Sequence, residues 1–185
     1  MQIDKNKFLF MYEANAFKPM NNSQQDGLLL LLSCFEDDDH IQDIRWIAYM
    51  LATVFHECAG TWKPIEEYGK GKGRKYGLAD PVSGHVYYGR GYVQLTWAGN
   101  YKTMGKTLGV DLYNDPDLAL IPDIAYKIMS QGMRSGSFTG ASLKSKIHDD
   151  VCDYFNARRI INGTDCAEKI AGYAEKFETI LKACI

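Results

Sequence analysis

Apolar residues recur at three- and four-residue steps over most of this chain, and strand-like patterning is confined to one stretch. Ile44, Ile47, Ala48, Leu51, Val54 and Phe55 share one face of a helix predicted over 41–57. A second helix is predicted over 24–37, around the apolar run Leu28 to Leu32. A third covers 97–108, with Thr96 as its N-cap and Gly109 as its stop. Pro116 and Pro122 suit first-turn positions, and Ile124, Ala125, Ile128, Met129 and Met133 line one face beyond the second proline. Further helices are expected over 142–147, 151–160 and 165–183. Asp80-Pro81 and Ser83-Gly84, flanked by tyrosine- and valine-rich segments, predict one antiparallel hairpin within 76–95 as the only sheet.

These elements give a mainly α, α+β fold class: a lysozyme-like helical domain with one small β-hairpin beside an active-site cleft. The 185 residues fit a single catalytic domain over 1–185. A net charge of −2 supplies no drive toward nucleic acid or an anionic membrane. The five cysteines are odd in number and lack C-x-x-C spacing, which speaks against a zinc knuckle or a complete disulfide framework. The first ten residues lack the order of a signal peptide, so no cleaved leader is expected. Leu28 to Leu32 is far short of a membrane span. Ile170, Tyr173, Ala174, Phe177, Ile180 and Leu181 form a stripe expected to close the core rather than disrupt a membrane, because Glu168, Glu175 and Glu178 dilute its basic charge.

The chemistry concentrates between Phe55 and Asn100. Glu57 ends an apolar helix near Phe55 and Trp62, where desolvation favours a protonated carboxyl suited to a general acid. Glu66 and Glu67 stand on a lysine-rich, glycine-rich loop, where a carboxylate stays ionised and activates water. The loop itself, with Gly69, Gly71 and Gly73 among Lys70, Lys72 and Arg74, reads as a flexible, basic cleft wall. It meets neither the dinucleotide nor the P-loop spacing. Asp37-Asp38-Asp39 lacks the other ligands of a calcium loop and reads as a solvated turn. His56-Glu57 fails as a zinc motif because Gly60 stands where the second histidine belongs. The sequons at Asn21 and Asn162 read as chance matches without a secretory route.

His56-Glu57, Tyr88-Gly89-Arg90-Gly91, Gln94-Leu95-Thr96, Asn100-Tyr101 and Ile161-Asn162-Gly163 follow one another in an order that resembles the family 19 glycoside hydrolases, and within them the short endolysins of phages and prophages. The resemblance runs from about Trp46 to Phe177. It implies Glu57 as general acid and Thr96 as a residue holding the attacking water. Tyr88, Arg90, Gln94, Asn100, Tyr101 and Asn162 fall on positions that contact sugar or order the site. For the second carboxylate Glu67 is favoured, with Glu66 retained. The resemblance implies an inverting single displacement without metal or cofactor, by carboxyls about 6.5 to 9.5 Å apart.

Family members act on chitin or on peptidoglycan. The compact chain without an evident leader favours a muramidase cleaving between N-acetylmuramic acid and N-acetylglucosamine, held as a monomer in a host cytoplasm until release to the wall. A chitinase is the nearest alternative. Two other classes stay open: an inactive glycan-binding module, and a cysteine peptidase built on Cys58 with His85 or His148.

Overall fold

The computed structural model describes residues 1–15 and 17–185. In chain order the helices are α1 (Lys5–Ala14), α2 (Asn22–Glu36), α3 (Ile44–Glu57), α4 (Ala98–Leu108), α5 (Pro122–Ser135), α6 (Leu143–Lys146), α7 (Tyr154–Ala157) and α8 (Ala167–Cys184). The strands are β1 (Ile65–Glu66), β2 (Arg90–Gly91), β3 (Ile147–His148) and β4 (Val151–Cys152). The mostly helical fold class read from the periodicity is the one observed. The chain forms two compact units, 1–62 with 133–185, and 63–132.

The first unit is built around α3. Asp43 caps it by accepting from Arg45 N and grips the Arg45 guanidinium, with Nη2 to Oδ2 at 2.6 Å. Trp46 Nε1 donates to Ile147 O at 2.9 Å, tying the start of α3 to β3. Ile47 through Val54 are all buried, so this helix is enclosed rather than one-sided. The stripe of α8 packs on α3 and α1 as expected, with Ile170, Ala174, Phe177, Ile180 and Leu181 fully buried. Phe177 gathers an aromatic cluster, with ring centroids 4.8 Å from Phe17, 5.7 Å from Trp62 and 6.2 Å from Phe55. Such ring pairs add about 0.5–1.5 kcal/mol each beyond the area they bury. No helix among the described residues is long and apolar enough to cross a membrane.

The second unit holds the sheet that carries the glutamates. Here the structure departs from the predicted hairpin over 76–95: β1 pairs antiparallel with β2, Ile65 opposite Gly91 and Glu66 opposite Arg90. The turn at 80–84 forms, with Gly84 N donating to Asp80 O at 2.8 Å, but its flanks are not paired strands. Asp80 takes the hydrogen bonds instead, accepting from the backbone of Val82 and Ser83 and from Tyr113 Oη. Nor is this the only sheet. In the first unit β3 and β4 make a two-residue hairpin over Asp149, which adopts φ +42°, so Val151 and Cys152 are strand residues where a helix was predicted. Helix α1, capped by Asp4, was not anticipated, because its single buried face is reduced to Phe8 and Tyr12.

One further expectation is corrected. The N-cap of α4 is Trp97, at φ +74° and without a side-chain cap, rather than Thr96. The glycine-rich loop is built of successive turns, with Lys70 N, Lys72 N and Arg74 N donating to Glu67, Gly69 and Gly71 carbonyls. A Cβ on Gly77 would fall 1.8 Å from Gly71 O, so glycine serves backbone-on-backbone packing there.

Candidate active site

Glu57 is the last residue of α3, and the chain leaves it through the left-handed residues Ala59 (φ +50°) and Gly60 (φ +70°). Gly60 N donates back to Phe55 O at 2.9 Å, closing the helix. Two residues of α2 fix this exit: Gln24 Nε2 donates to Gly60 O at 2.9 Å, and Gly27 lies against Trp62, whose carbonyl oxygen would be 2.6 Å from an added Cβ. The Glu57 side chain is 16% exposed.

Sequence reasoning gave Glu57 an apolar setting alone. The structure adds a cation: Arg158, its side chain 3% exposed, donates from Nη1 to Glu57 Oε1 at 2.6 Å. The same guanidinium donates from Nε to Asp165 O at 3.1 Å and lies 3.5 Å from the Asp165 carboxylate. Burial works against its charge, but Glu57 and then Asp165 outweigh it and hold the Arg158 pKa above its ordinary value. The neighbouring His56 is pushed below the usual histidine range, chiefly by burial, although Glu57 pulls the other way. Asn162, expected near sugar, is exposed in this unit, and its backbone N donates to Arg158 O at 3.0 Å.

In the second unit, neighbouring positions of an extended strand face opposite ways, and Glu66 and Glu67 acquire different partners. Glu66 accepts from Tyr88 Oη and pairs with Lys70 Nζ at 2.9 Å. The Tyr88 hydrogen bond, and then Lys70, hold the Glu66 carboxyl below the usual carboxylate range. Glu67 accepts from Tyr76 Oη at 2.9 Å and from Gly89 N at 3.1 Å, while its own amide donates to Gly89 O at 2.7 Å. Glu67 Oε2 and the Glu67 amide thus extend the β1–β2 pairing, while Oε1 holds Tyr76.

The remaining residues of the motif divide by exposure. Arg90 and Tyr101 are 4% and 0% exposed and act inside the fold, so of the two roles expected for them, touching sugar or ordering the site, burial fits the second. Arg90 Nε donates to Asp117 at 2.8 Å, its guanidinium lies 3.6 Å from the Tyr88 ring centroid, and Tyr101 Oη donates to Tyr88 O at 2.8 Å. Tyr88 is therefore clamped on both sides, and only 8% of it reaches the surface. Gln94, at φ +53°, donates from Nε2 to Ile65 O and Gly91 O, both at 3.1 Å, and so braces the sheet. Thr96 and Asn100 are half-buried, and Asn100 Nδ2 donates to Thr96 O at 2.9 Å. Trp97, 48% exposed and edge-on to Tyr76 at 5.4 Å, was missed as a candidate sugar contact, as was Tyr68, 87% exposed. An aromatic residue directly after Thr96 was the available signal.

Cys58 is fully buried, so a thiol nucleophile there has no access to substrate, and the cysteine-peptidase reading loses its footing. Among the described residues no group of three or more His, Cys, Asp or Glu is placed to hold a metal ion.

The family described as chitinase class I, glycoside hydrolase family 19, matches residues 33–151. An endochitinase of Arabidopsis thaliana is 44% identical over 85 residues, which is 45% of this chain and 30% of the relative. Endochitinase A2 of Pisum sativum is 38% identical over 97 residues, with the same two shares. The chain thus spans under a third of the length of these relatives. Among solved structures, chitinase C from Streptomyces griseus covers 97% of this chain and 76% of its own, with a TM-score of 0.64 at 23% identity. A bacterial family 19 chitinase covers 97% and 94%, with a TM-score of 0.66 at 23% identity. Likeness at that identity establishes the fold.

Proposed function

Since the chain belongs to glycoside hydrolase family 19, the chitinase class I family, we propose that it hydrolyses β-1,4-linked N-acetylglucosamine polymers by single displacement. The observation that carries the reading is the contrast between two carboxylates. Glu57 is largely shielded at a helix end and held by one guanidinium. Glu66 is kept ionised on a strand by a phenol and an ammonium. Each carboxylate faces a cation, and the contrast lies in exposure, 16% for the Glu57 side chain against 34% for that of Glu66, which leaves Glu66 the better placed to meet water. Glu57 protonates the leaving oxygen and Glu66 activates water, with Thr96 and Asn100 as further polar contacts. Glu67, preferred on sequence grounds, is assigned instead to bracing the backbone, because Oε2 accepts from Gly89 N and Oε1 from Tyr76, whereas Glu66 is held by side chains alone.

Chitin takes precedence over peptidoglycan because the relatives named are chitinases. Peptidoglycan cleavage by a phage-type endolysin is kept as a second reading on one observation: Lys72, Arg74 and Lys75 are all exposed, a charge that suits carboxylate-bearing strands better than neutral chitin. The test is product analysis with soluble chitin oligomers and purified peptidoglycan side by side. Glu57→Gln, which preserves an acceptor for Arg158, is expected to lower turnover by about 10²–10⁴-fold while remaining folded. Near-normal turnover by that folded variant would falsify the assignment. Release of fragments with muramic acid at the reducing end from peptidoglycan, without cleavage of chitin oligomers, would reverse the order of the two substrates.

A further inference from the structure

Beside the end of α3, within the first unit, two depressions of about 230 and 380 Å³ share Phe55, Ala59, Gly60 and Tyr173 and so form one groove. Its floor is aromatic, with the rings of Phe55 and Tyr173 packed perpendicular, edge to face, at 4.8 Å. Gly60 keeps it open: a Cβ there would stand 3.1 Å from the Phe55 ring. The rim is cationic. Lys18 and Lys176 line one depression, and Lys169 and His56 the other. Lys176 Nζ sits 5.3 Å from the Phe17 ring centroid and Lys169 Nζ 5.9 Å from that of Tyr173. None of these three lysines joins an ion pair among the described residues, and no aspartate or glutamate lines the groove.

Three unpaired ammonium groups over an aromatic floor, on a chain whose net charge is −2, form a local departure from the overall balance. Aromatic faces accept the apolar side of a pyranose ring, and ammonium groups make charge-assisted hydrogen bonds to carboxylates. A neutral chitin strand would use the floor and leave the lysines unmatched. We propose that this groove is an accessory subsite for an amino-sugar polymer bearing carboxylate substituents, the sugar ring lying on Phe55 and Tyr173 and the carboxylate between Lys18, Lys169 and Lys176. The proposal rests on the glycosidase reading above and, at this groove, favours carboxylate-bearing strands over the neutral chitin given precedence there.

The test measures binding in a Glu57→Gln background, so that no ligand is consumed, using carboxymethyl-chitin oligomers and neutral chitin oligomers of equal length. The carboxylated oligomer is expected to bind about tenfold more tightly, and added salt should erode that preference alone. Replacing the three lysines together, K18Q/K169Q/K176Q, should abolish the preference and leave neutral binding unchanged, with circular dichroism reporting the fold. A preference that survives the triple substitution, or equal binding of both oligomers before it, overturns the proposal. Hydrolysis of the same oligomers with Glu57 intact separates the two claims. Cleavage of neither, with a lysine-dependent preference retained, sinks the glycosidase reading and leaves the groove standing. Cleavage with lysine-independent binding sinks the groove alone.

Discussion

Arg158 and Glu57, 101 positions apart in the chain, meet at 2.6 Å between Nη1 and Oε1, with the guanidinium almost wholly withdrawn from water. A pair this buried is costly to break from one side, because the surviving charge has no solvent to replace its partner. Arg158→Ala is expected to destabilise the protein by about 3 kcal/mol in urea unfolding. Arg158→Lys restores a charge without the planar fork that also reaches Asp165 O, and should recover only part of the loss. Equal stability of the alanine variant and the wild type would mean that the pair contributes nothing.

Glu66 and Glu67 are separated by paired substitutions. Glu66→Gln is expected to lower turnover by about 10²-fold or more with little change in melting temperature, as removal of a general base does. Glu67→Gln should do the reverse and chiefly lower the melting temperature, since it disturbs the bonds to Tyr76 and Gly89. Loss of turnover confined to the Glu67 variant would restore Glu67 as the base.

The acid side of the pH profile follows from Tyr88 and Lys70, which hold the Glu66 carboxyl below its ordinary 4.5. A depressed folded value means that the unfolded chain binds this proton more readily. The stabilisation is therefore complete above 4.5 and is lost as pH falls through the folded value. Tyr88→Phe removes the larger of the two holds, so the acid limb of kcat/KM should move up toward 4.5. An acid limb that stays in place would assign that ionisation to another group.

Gly27 offers a test of packing. Alanine ordinarily favours a helix interior over glycine by about 1 kcal/mol. Here the new methyl would meet the Trp62 backbone at 2.6 Å, and backbone cannot step aside as a side-chain tip can. Gly27→Ala is expected to be net destabilising by about 1–3 kcal/mol, measured by denaturant unfolding. A more stable variant would show that the exit from α3 is loosely held.

Alkylation separates glycosidase from peptidase. Cys152 and Cys166 are exposed and Cys58 is buried, so iodoacetamide on the folded protein should modify the first two and leave glycan cleavage intact. Loss of activity on their modification would give a thiol a role that this reading denies.

What the sequence disclosed and what it concealed divide along physical lines. Helix α3 was legible because Ile47, Leu51 and Val54 repeat at helical spacing and the chain must bury them. Glu57 was legible as its terminus. Strands of two residues carry no period at all, so β3–β4 passed for helix and β2 was drawn out into a longer hairpin. Arg158 was overlooked beside Arg159, yet it stands in phase with Tyr154, Ala157 and Ile161 at helical steps, a cation on an apolar stripe. Read that way, it called for a buried partner. Arg90 and Tyr101 show the converse: their motif was visible, but only the fold reveals that they serve Tyr88 from inside.

The division of the chain also sets an order of events during synthesis. Residues 63–132 form a unit from one continuous stretch, whereas 1–62 is completed only by 133–185. A ribosome-bound chain can close the sheet bearing Glu66 while α3 still lacks α8. Until Phe177 emerges, Phe17, Phe55 and Trp62 have no central ring to gather on, and until Arg158 emerges Glu57 has no counter-ion. The nascent protein therefore has Glu66 on its sheet early and Glu57 paired late, and truncation between residues 132 and 158 leaves a chain that holds both glutamates and supplies partners to Glu66 alone.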